Sequence, residues 1–203
     1  VYIAIFVGML FVSGIRLRLV RIIATVGVLL MPLAWFVLKD YQKQRILVFM
    51  NPDIDPFGSG YHIIQSKIAI GSGTIFGKGL FNGTQSQLNF LPENHTDFIF
   101  SVIGEELGFI GCIFVLILLF MLIYRSIKVA YSCNDRFGML LATGIGSMLC
   151  FEVLVNAGMT MGIMPVTGIP LPFISYGVSA LTTNMISVGI LLNISMQRKK
   201  YIF

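Results

Sequence analysis

Charge is scarce in this sequence. Of 203 residues only 11% are Asp, Glu, Lys or Arg, against about 25% in a soluble domain. That leaves no polar coat, which excludes a soluble globular domain, a disordered chain and a cytosolic enzyme. Cysteine is equally thin. Cys112, Cys133 and Cys150 have no CxxC spacing, two of them lie in apolar runs, and they read as small buried hydrophobes. The basic excess, a net charge of +5, is scattered between apolar runs rather than gathered on one polar face, so nucleic acid is not an expected partner. A signal-peptide pattern is missing too. The chain opens on Val1 and its first apolar run stops at Ile15, short of the roughly 20 residues a span needs. That run reads as a cut helix, and the chain as the tail of something longer.

Hydrophobic residues make up 56% of the chain, and the mean hydropathy is +0.88. The fold class is therefore an all-α polytopic membrane protein. Five apolar stretches, 1–15, 22–38, 98–124, 137–161 and 178–196, read as membrane helices, because backbone polar groups in hydrocarbon must be satisfied internally. Trp35 falls where an aromatic belt is expected. Arg16, Arg18, Arg21, Arg125, Lys128, Arg136, Arg198, Lys199 and Lys200 all fall on one side if the spans alternate. The positive-inside rule makes that side cytoplasmic, the carboxy terminus included. The opposite side receives an uncharged segment, 162–177, and a long extracytoplasmic loop between Lys39 and Asp97.

That long loop has about 59 residues, far beyond the roughly 12–15 of an unstructured connection. Apolar patches recur through it. Residues 41–50 read as a short amphipathic helix with Lys43 and Arg45 on its polar side, and 61–70 as a second. The expectation is a packed cap over 39–97, partly embedded at the membrane surface.

Several polar groups stand out. In Pro92-Glu93-Asn94-His95-Thr96-Asp97, two carboxylates and an imidazole gather just before a span. Thr96 or Asp97 can serve as an N-cap; alternatively Asp97 is a carboxylate poised at the water–membrane boundary, as a general base or a cation ligand. His95 lacks a second His at helical spacing and reads as a hydrogen-bonding partner. Glu105 lies eight residues on, about 12 Å along a helix and on a neighbouring face. Glu152, Asn156 and Thr160 form an i, i+4, i+8 stripe that must face protein or a cavity. It serves either as an inter-helix clamp or as a lining for a polar substrate head or proton path. Gly104 with Gly108, and Gly158 with Gly162, fit close helix packing. The glycine-rich stretch 71–79 lacks the P-loop glycine at Ser72 and has Gly79 where magnesium needs a hydroxyl, so no nucleotide is expected. It is either a tight turn packing the cap or, with Lys67 and Lys78 nearby, a backbone cradle for a diphosphate. Pro165, Pro170 and Pro172 bar a helix in the apolar segment that ends Ser175-Tyr176-Gly177, which reads as a re-entrant element beside the cap.

Three long motifs carry a resemblance: residues 60–73; residues 90–100 with Gly104-Glu105-Glu106-Leu107-Gly108; and residues 165–177. In the same order, they resemble the SEDS family (shape, elongation, division and sporulation). Lys78-Gly79 and Gly83-Thr84-Gln85-Ser86-Gln87-Leu88 are similar to the elongation branch, whereas the division branch tends to carry a Lys and an acid near Gln87 and Asn89. The resemblance implies a ten-span fold of which about half is present. It implies a peptidoglycan glycosyltransferase of the bacterial cytoplasmic membrane that polymerises lipid II into glycan strands, with a class B penicillin-binding protein as partner. The family's essential aspartate maps onto Asp97. Glu93, His95, Thr96, Lys67, Lys78, Ser175 and Tyr176 are then candidates for substrate binding, and Glu105, Glu152 and Asn156 for polar cavity groups. A divalent cation, Mg or Mn, fits at Asp97. Two other functions suit the same chamber: a lipid II flippase, and a non-catalytic scaffold for the transpeptidase.

Overall fold

A computed structural model describes residues 1–14, 17–55, 58–88, 90, 91 and 93–197. Arg16, Asn89, Pro92 and the cluster Arg198, Lys199 and Lys200 lie outside the described residues, as does the side chain of Trp35. The described residues are helical with irregular connections and contain no strand. In order they form α1 (Tyr2–Val12), α2 (Leu17–Val37), α3 (Asp40–Met50), a 3-10 turn (Pro52–Ile54), α4 (Ser59–Ser72), α5 (Thr84–Gln87), α6 (Ile99–Tyr131), α7 (Arg136–Thr160) and α8 (Val178–Gln197).

Among the described residues three helices, α6, α7 and α8, are long and apolar enough to cross a membrane, and α1 is a shorter apolar helix. α6 and α7 run antiparallel and enclose the core, where Leu119, Ile123, Ala142, Ile145, Leu149 and Val153 are buried together. Their outer faces carry exposed Phe114, Leu118, Phe120 and Leu154, and α8 adds Leu181, Met185 and Ile186. A surface this apolar needs lipid or protein against it. The Asp135 carboxylate caps α7 by accepting from the Gly138 N–H at 2.9 Å. Arg125, Lys128 and Arg136 therefore gather at one end of the α6–α7 pair, and the turn preceding α6 lies at the other.

Helices occupy both stretches expected to be helical in the long segment, as α3 and α4. α4 lies across α6 and meets α7: the Ser66 hydroxyl donates to the Thr160 carbonyl at 2.6 Å and stands 2.6 Å from the Ser101 hydroxyl. Three elements thus meet at one buried polar knot.

α6 departs from a single span. Its backbone breaks at Gly108, with φ 67 and ψ −163, values that favour glycine. The freed groups find partners in the loop after α4. Phe109 and Ile110 donate to the carbonyls of Thr74 and Ile75 at 3.0 and 3.2 Å, and Lys78 and Gly79 donate to those of Glu105 and Glu106 at 3.0 Å. Beyond the break, residues 109–131 extend about 34 Å, enough for the roughly 30 Å hydrocarbon core. The stretch before it, with Glu105 and Glu106, is wrapped by the cap. The expected stretch 98–124 falls within the apolar helix Ile99–Tyr131, which carries this break and continues past Tyr124.

Candidate active site

Asp97 stands in the turn that leads into α6. The N-cap of α6 is Phe98, with no side-chain capping hydrogen bond, so neither Thr96 nor Asp97 has that role. Thr96 instead donates to the Glu93 carboxylate at 2.8 Å, and the Glu93 carbonyl accepts from the N–H groups of Thr96 and Phe98. Phe98 and Phe100 are buried, and the His62 ring of α4 packs on Phe98 with centroids 5.9 Å apart. The turn is anchored from below while its polar edge stays open.

The segment between α7 and α8 locks the other side. Tyr176 N–H donates to the His95 carbonyl at 2.8 Å, the Ser175 hydroxyl to the Thr96 carbonyl at 2.6 Å, and the Asn156 amide to the Asp97 carbonyl at 2.9 Å. The same Asn156 nitrogen reaches the Ile169 carbonyl at 2.8 Å, and Ser175 Oγ accepts from Leu171 N–H at 2.7 Å. Three consecutive carbonyls are thereby fixed, and the Asp97 carboxylate makes no hydrogen bond among the described residues. The proline-rich segment is irregular, as expected; its Tyr176 N–H bonds to this turn, its Ile169 carbonyl accepts from Asn156, and its Leu171 carbonyl accepts from the N–H groups of Ile174 and Ser175.

Gly168 lets the two segments close. Its φ is +70, and a Cβ there would stand 3.3 Å from Asp97 Oδ2. The half-buried carboxyl of Asp97 titrates above its ordinary 3.8. Burial is the first cause, the neighbouring Glu93 charge adds to it, and the Arg45 guanidinium on α3 opposes it. Nothing local to residues 90–100 signals Arg45 or Gly168. One is far away in sequence, and the other is a single glycine in a loop.

The remaining candidates divide. Tyr176, His95 and Glu93 are exposed around Asp97, while Ser175 is buried and holds backbone. The Lys67 stem lies where a Gly162 side chain would be, which puts this exposed cation against the segment that faces Asp97. Lys78 differs from the open cation expected. It pairs with Glu105 at 2.8 Å and donates to Thr84 Oγ1 at 2.8 Å. The 71–79 stretch is likewise a packing turn rather than an anion cradle, since its Lys78 and Gly79 N–H groups bond to carbonyls at the α6 break.

Glu105 is fully buried rather than part of a cavity. Its carboxylate also accepts the first free N–H groups of α5, from Gln85 at 2.9 Å and Ser86 at 3.1 Å. α5 in turn accepts at its Ser86 carbonyl from Asn94 Nδ2, 3.0 Å away, so Glu105 supports the Asp97 turn from beneath. The Glu152 stripe splits as well. Asn156 and Thr160 are buried and bonded, whereas Glu152 is half-buried with no hydrogen bond or ion pair among the described residues. No group of three or more His, Cys, Asp or Glu is placed to hold a metal among the described residues.

Peptidoglycan glycosyltransferase MrdB of Escherichia coli K12 is 49% identical over 191 residues, covering 94% of this chain and 52% of that protein. Peptidoglycan glycosyltransferase RodA of Treponema pallidum (strain Nichols) is 48% identical over 162 residues, covering 80% of this chain and 37% of its own. The chain thus spans about half the length of the first relative and less of the second. A solved peptidoglycan synthase complex, described as coordinating polymerization and crosslinking, superposes with a TM-score of 0.76 at 34% identity, over 96% of this chain and 53% of its counterpart. The family model for the cell cycle proteins FtsW, RodA and SpoVE matches residues 1–200. This multi-pass membrane chain belongs to the FtsW/RodA/SpoVE family.

Proposed function

We propose that this chain forms the active-site half of a peptidoglycan glycosyltransferase that polymerises lipid II during cell elongation. One observation carries the reading. The turn that carries the half-buried carboxylate of Asp97 is fixed at the consecutive carbonyls of His95, Thr96 and Asp97, while the Asp97 side chain makes no hydrogen bond among the described residues. A structural acid is tied down by its carboxylate; here the main chain is tied down and the carboxylate is left to act. The relatives' names and the coordinated polymerization of the solved complex support the same activity.

The chemistry follows from placement. The acceptor sugar's 4-hydroxyl attacks the anomeric carbon of the lipid-linked donor, with inversion. Asp97 takes the hydroxyl proton, the new glycosidic bond forms, and the undecaprenyl diphosphate leaves with the electron pair of the broken bond. Burial raises the carboxyl and makes it a stronger base once ionised. Lys67 and Arg45 are the cations left to meet the diphosphate. The expected Mg or Mn ion has a partial fit. Asp97 and Glu93 supply two carboxylates, and such ions are commonly completed by substrate phosphates. Bound there, the ion would lend Lewis-acid charge to the leaving group.

In this reading the Asp97 end faces outwards, and the Arg125–Arg136 end and the carboxy terminus face the cytoplasm of the inner membrane. The partner is a class B penicillin-binding protein that crosslinks the nascent glycan. The test gives purified lipid II to the full-length protein with and without such a partner. Long glycan strands are expected. Translocation of lipid II across vesicles with no polymer would make it a flippase, and co-purification with the partner without polymer would make it a scaffold.

A further inference from the structure

At the end of the molecule opposite Asp97, a groove of about 630 Å³ runs between α6 and α8. Leu122, Val188 and Leu192 give it an apolar lining, and Arg125, Lys128 and Ser195 line it as well. The polarity is ordered by depth. Lys128 lies 20 residues past the Gly108 break, about 30 Å along the helix and one hydrocarbon thickness away. Leu122 lies about 9 Å deeper than Lys128, and Val188 about 10 Å deeper than Ser195. Arg125 and Lys128 are three residues apart, on one helix face. Both are exposed, neither side chain makes a hydrogen bond or ion pair among the described residues, and no acidic residue lines the groove. A lone cation at a helix end merely snorkels to the interface. Two cations over a concave apolar wall between helices match an amphiphile with a negative head.

We infer that this groove holds one anionic phospholipid. Its phosphate sits between Arg125 and Lys128, within reach of the Ser195 hydroxyl, and an acyl chain lies along Leu122, Val188 and Leu192. The groove is a membrane thickness from Asp97 and separate from the proposed sugar chemistry. The proposed orientation only decides which leaflet supplies the lipid, so binding measured in detergent stands or falls independently of the glycosyltransferase reading.

The test uses the full-length protein in detergent, with retained lipid counted by native mass spectrometry and affinity measured by titration. The probes are phosphatidylglycerol, phosphatidylcholine with the same acyl chains, and inorganic phosphate. One phosphatidylglycerol is expected, bound at least 10-fold tighter than phosphatidylcholine. The R125Q/K128Q variant weakens it roughly 30-fold, about fivefold per cation. The K39Q/K43Q variant, at the other end, changes it less than twofold. Val188→Trp fills the apolar part with both cations kept, and also expels the lipid. Equal binding of the two lipids, or undiminished binding by R125Q/K128Q or Val188→Trp, overturns the inference. So does a full-length protein that retains no phospholipid, as when another helix fills the groove. Inorganic phosphate binding as tightly as the lipid overturns it too, since the apolar lining then contributes nothing.

Discussion

Asn156→Ala isolates the placement of Asp97 from its chemistry. Asn156 is fully buried, and its single amide nitrogen donates to the carbonyls of Asp97 and Ile169, at 2.9 and 2.8 Å. The substitution leaves both carbonyls without that donor and leaves the carboxylate untouched. A buried polar group stripped of its partner costs about 1–3 kcal/mol. Both bonds are only part-buried, so roughly 2–4 kcal/mol of stability is expected to go. The consequence for rate is separate. A shift of about 1 Å in a reacting group costs on the order of 10²-fold. The assay is thermal unfolding of the full-length protein in detergent, paired with kcat and KM for lipid II polymerisation. The expected outcome is a lowered melting temperature, kcat down about 100-fold and KM nearly unchanged. Wild-type kcat in a measurably destabilised protein would refute the claim that the fixed carbonyls position the base.

Three further outcomes follow from the same geometry. The proposed mechanism needs Asp97 ionised, and its pKa is raised by burial and by Glu93 and lowered by Arg45. The acid limb of the pH–rate profile therefore moves to lower pH in Glu93→Gln and to higher pH in Arg45→Gln; shifts of the opposite sign would contradict the assignment. Lys78→Met leaves the Glu105 carboxylate buried without its cation and costs about 3 kcal/mol in thermal unfolding, while Lys78→Met with Glu105→Leu recovers part of that loss. Gly168→Ala forces a Cβ into positive φ, 3.3 Å from Asp97 Oδ2, and lowers kcat with a stability loss of about 1–2 kcal/mol; unchanged kinetics would show that the close approach is unnecessary.

Much of the architecture was legible because hydrocarbon imposes a simple rule. Apolar runs become helices, so α1, α2, α6, α7 and α8 fall on the five stretches, and helices α3 and α4 occupy 41–50 and 61–70. The Gly108 break was not legible. A glycine in an apolar run reads as a packing contact, and only the loop from Thr74 to Gly79 supplies partners for the opened backbone. Lys78 and Glu105 misled for a related reason. Each looked available for a ligand, but they are 27 residues apart and pair with one another. Asp97 is singled out by its motif alone. Its neighbours Arg45 and Gly168 act through tertiary placement, which no local pattern encodes. Asn156 could be found only as one step of a polar stripe, and the stripe gives no hint that its amide bridges two backbone segments.

The most direct measurement is lipid II polymerisation by full-length Asp97→Asn, assembled with the proposed class B penicillin-binding protein, alongside lipid II binding by the same preparation. The amide keeps the shape of the side chain and cannot accept the proton. The account predicts binding within a few-fold of the parent and glycan synthesis reduced by at least about 100-fold, the low end of general-base catalysis. Glycan strands made at the parent rate would contradict it.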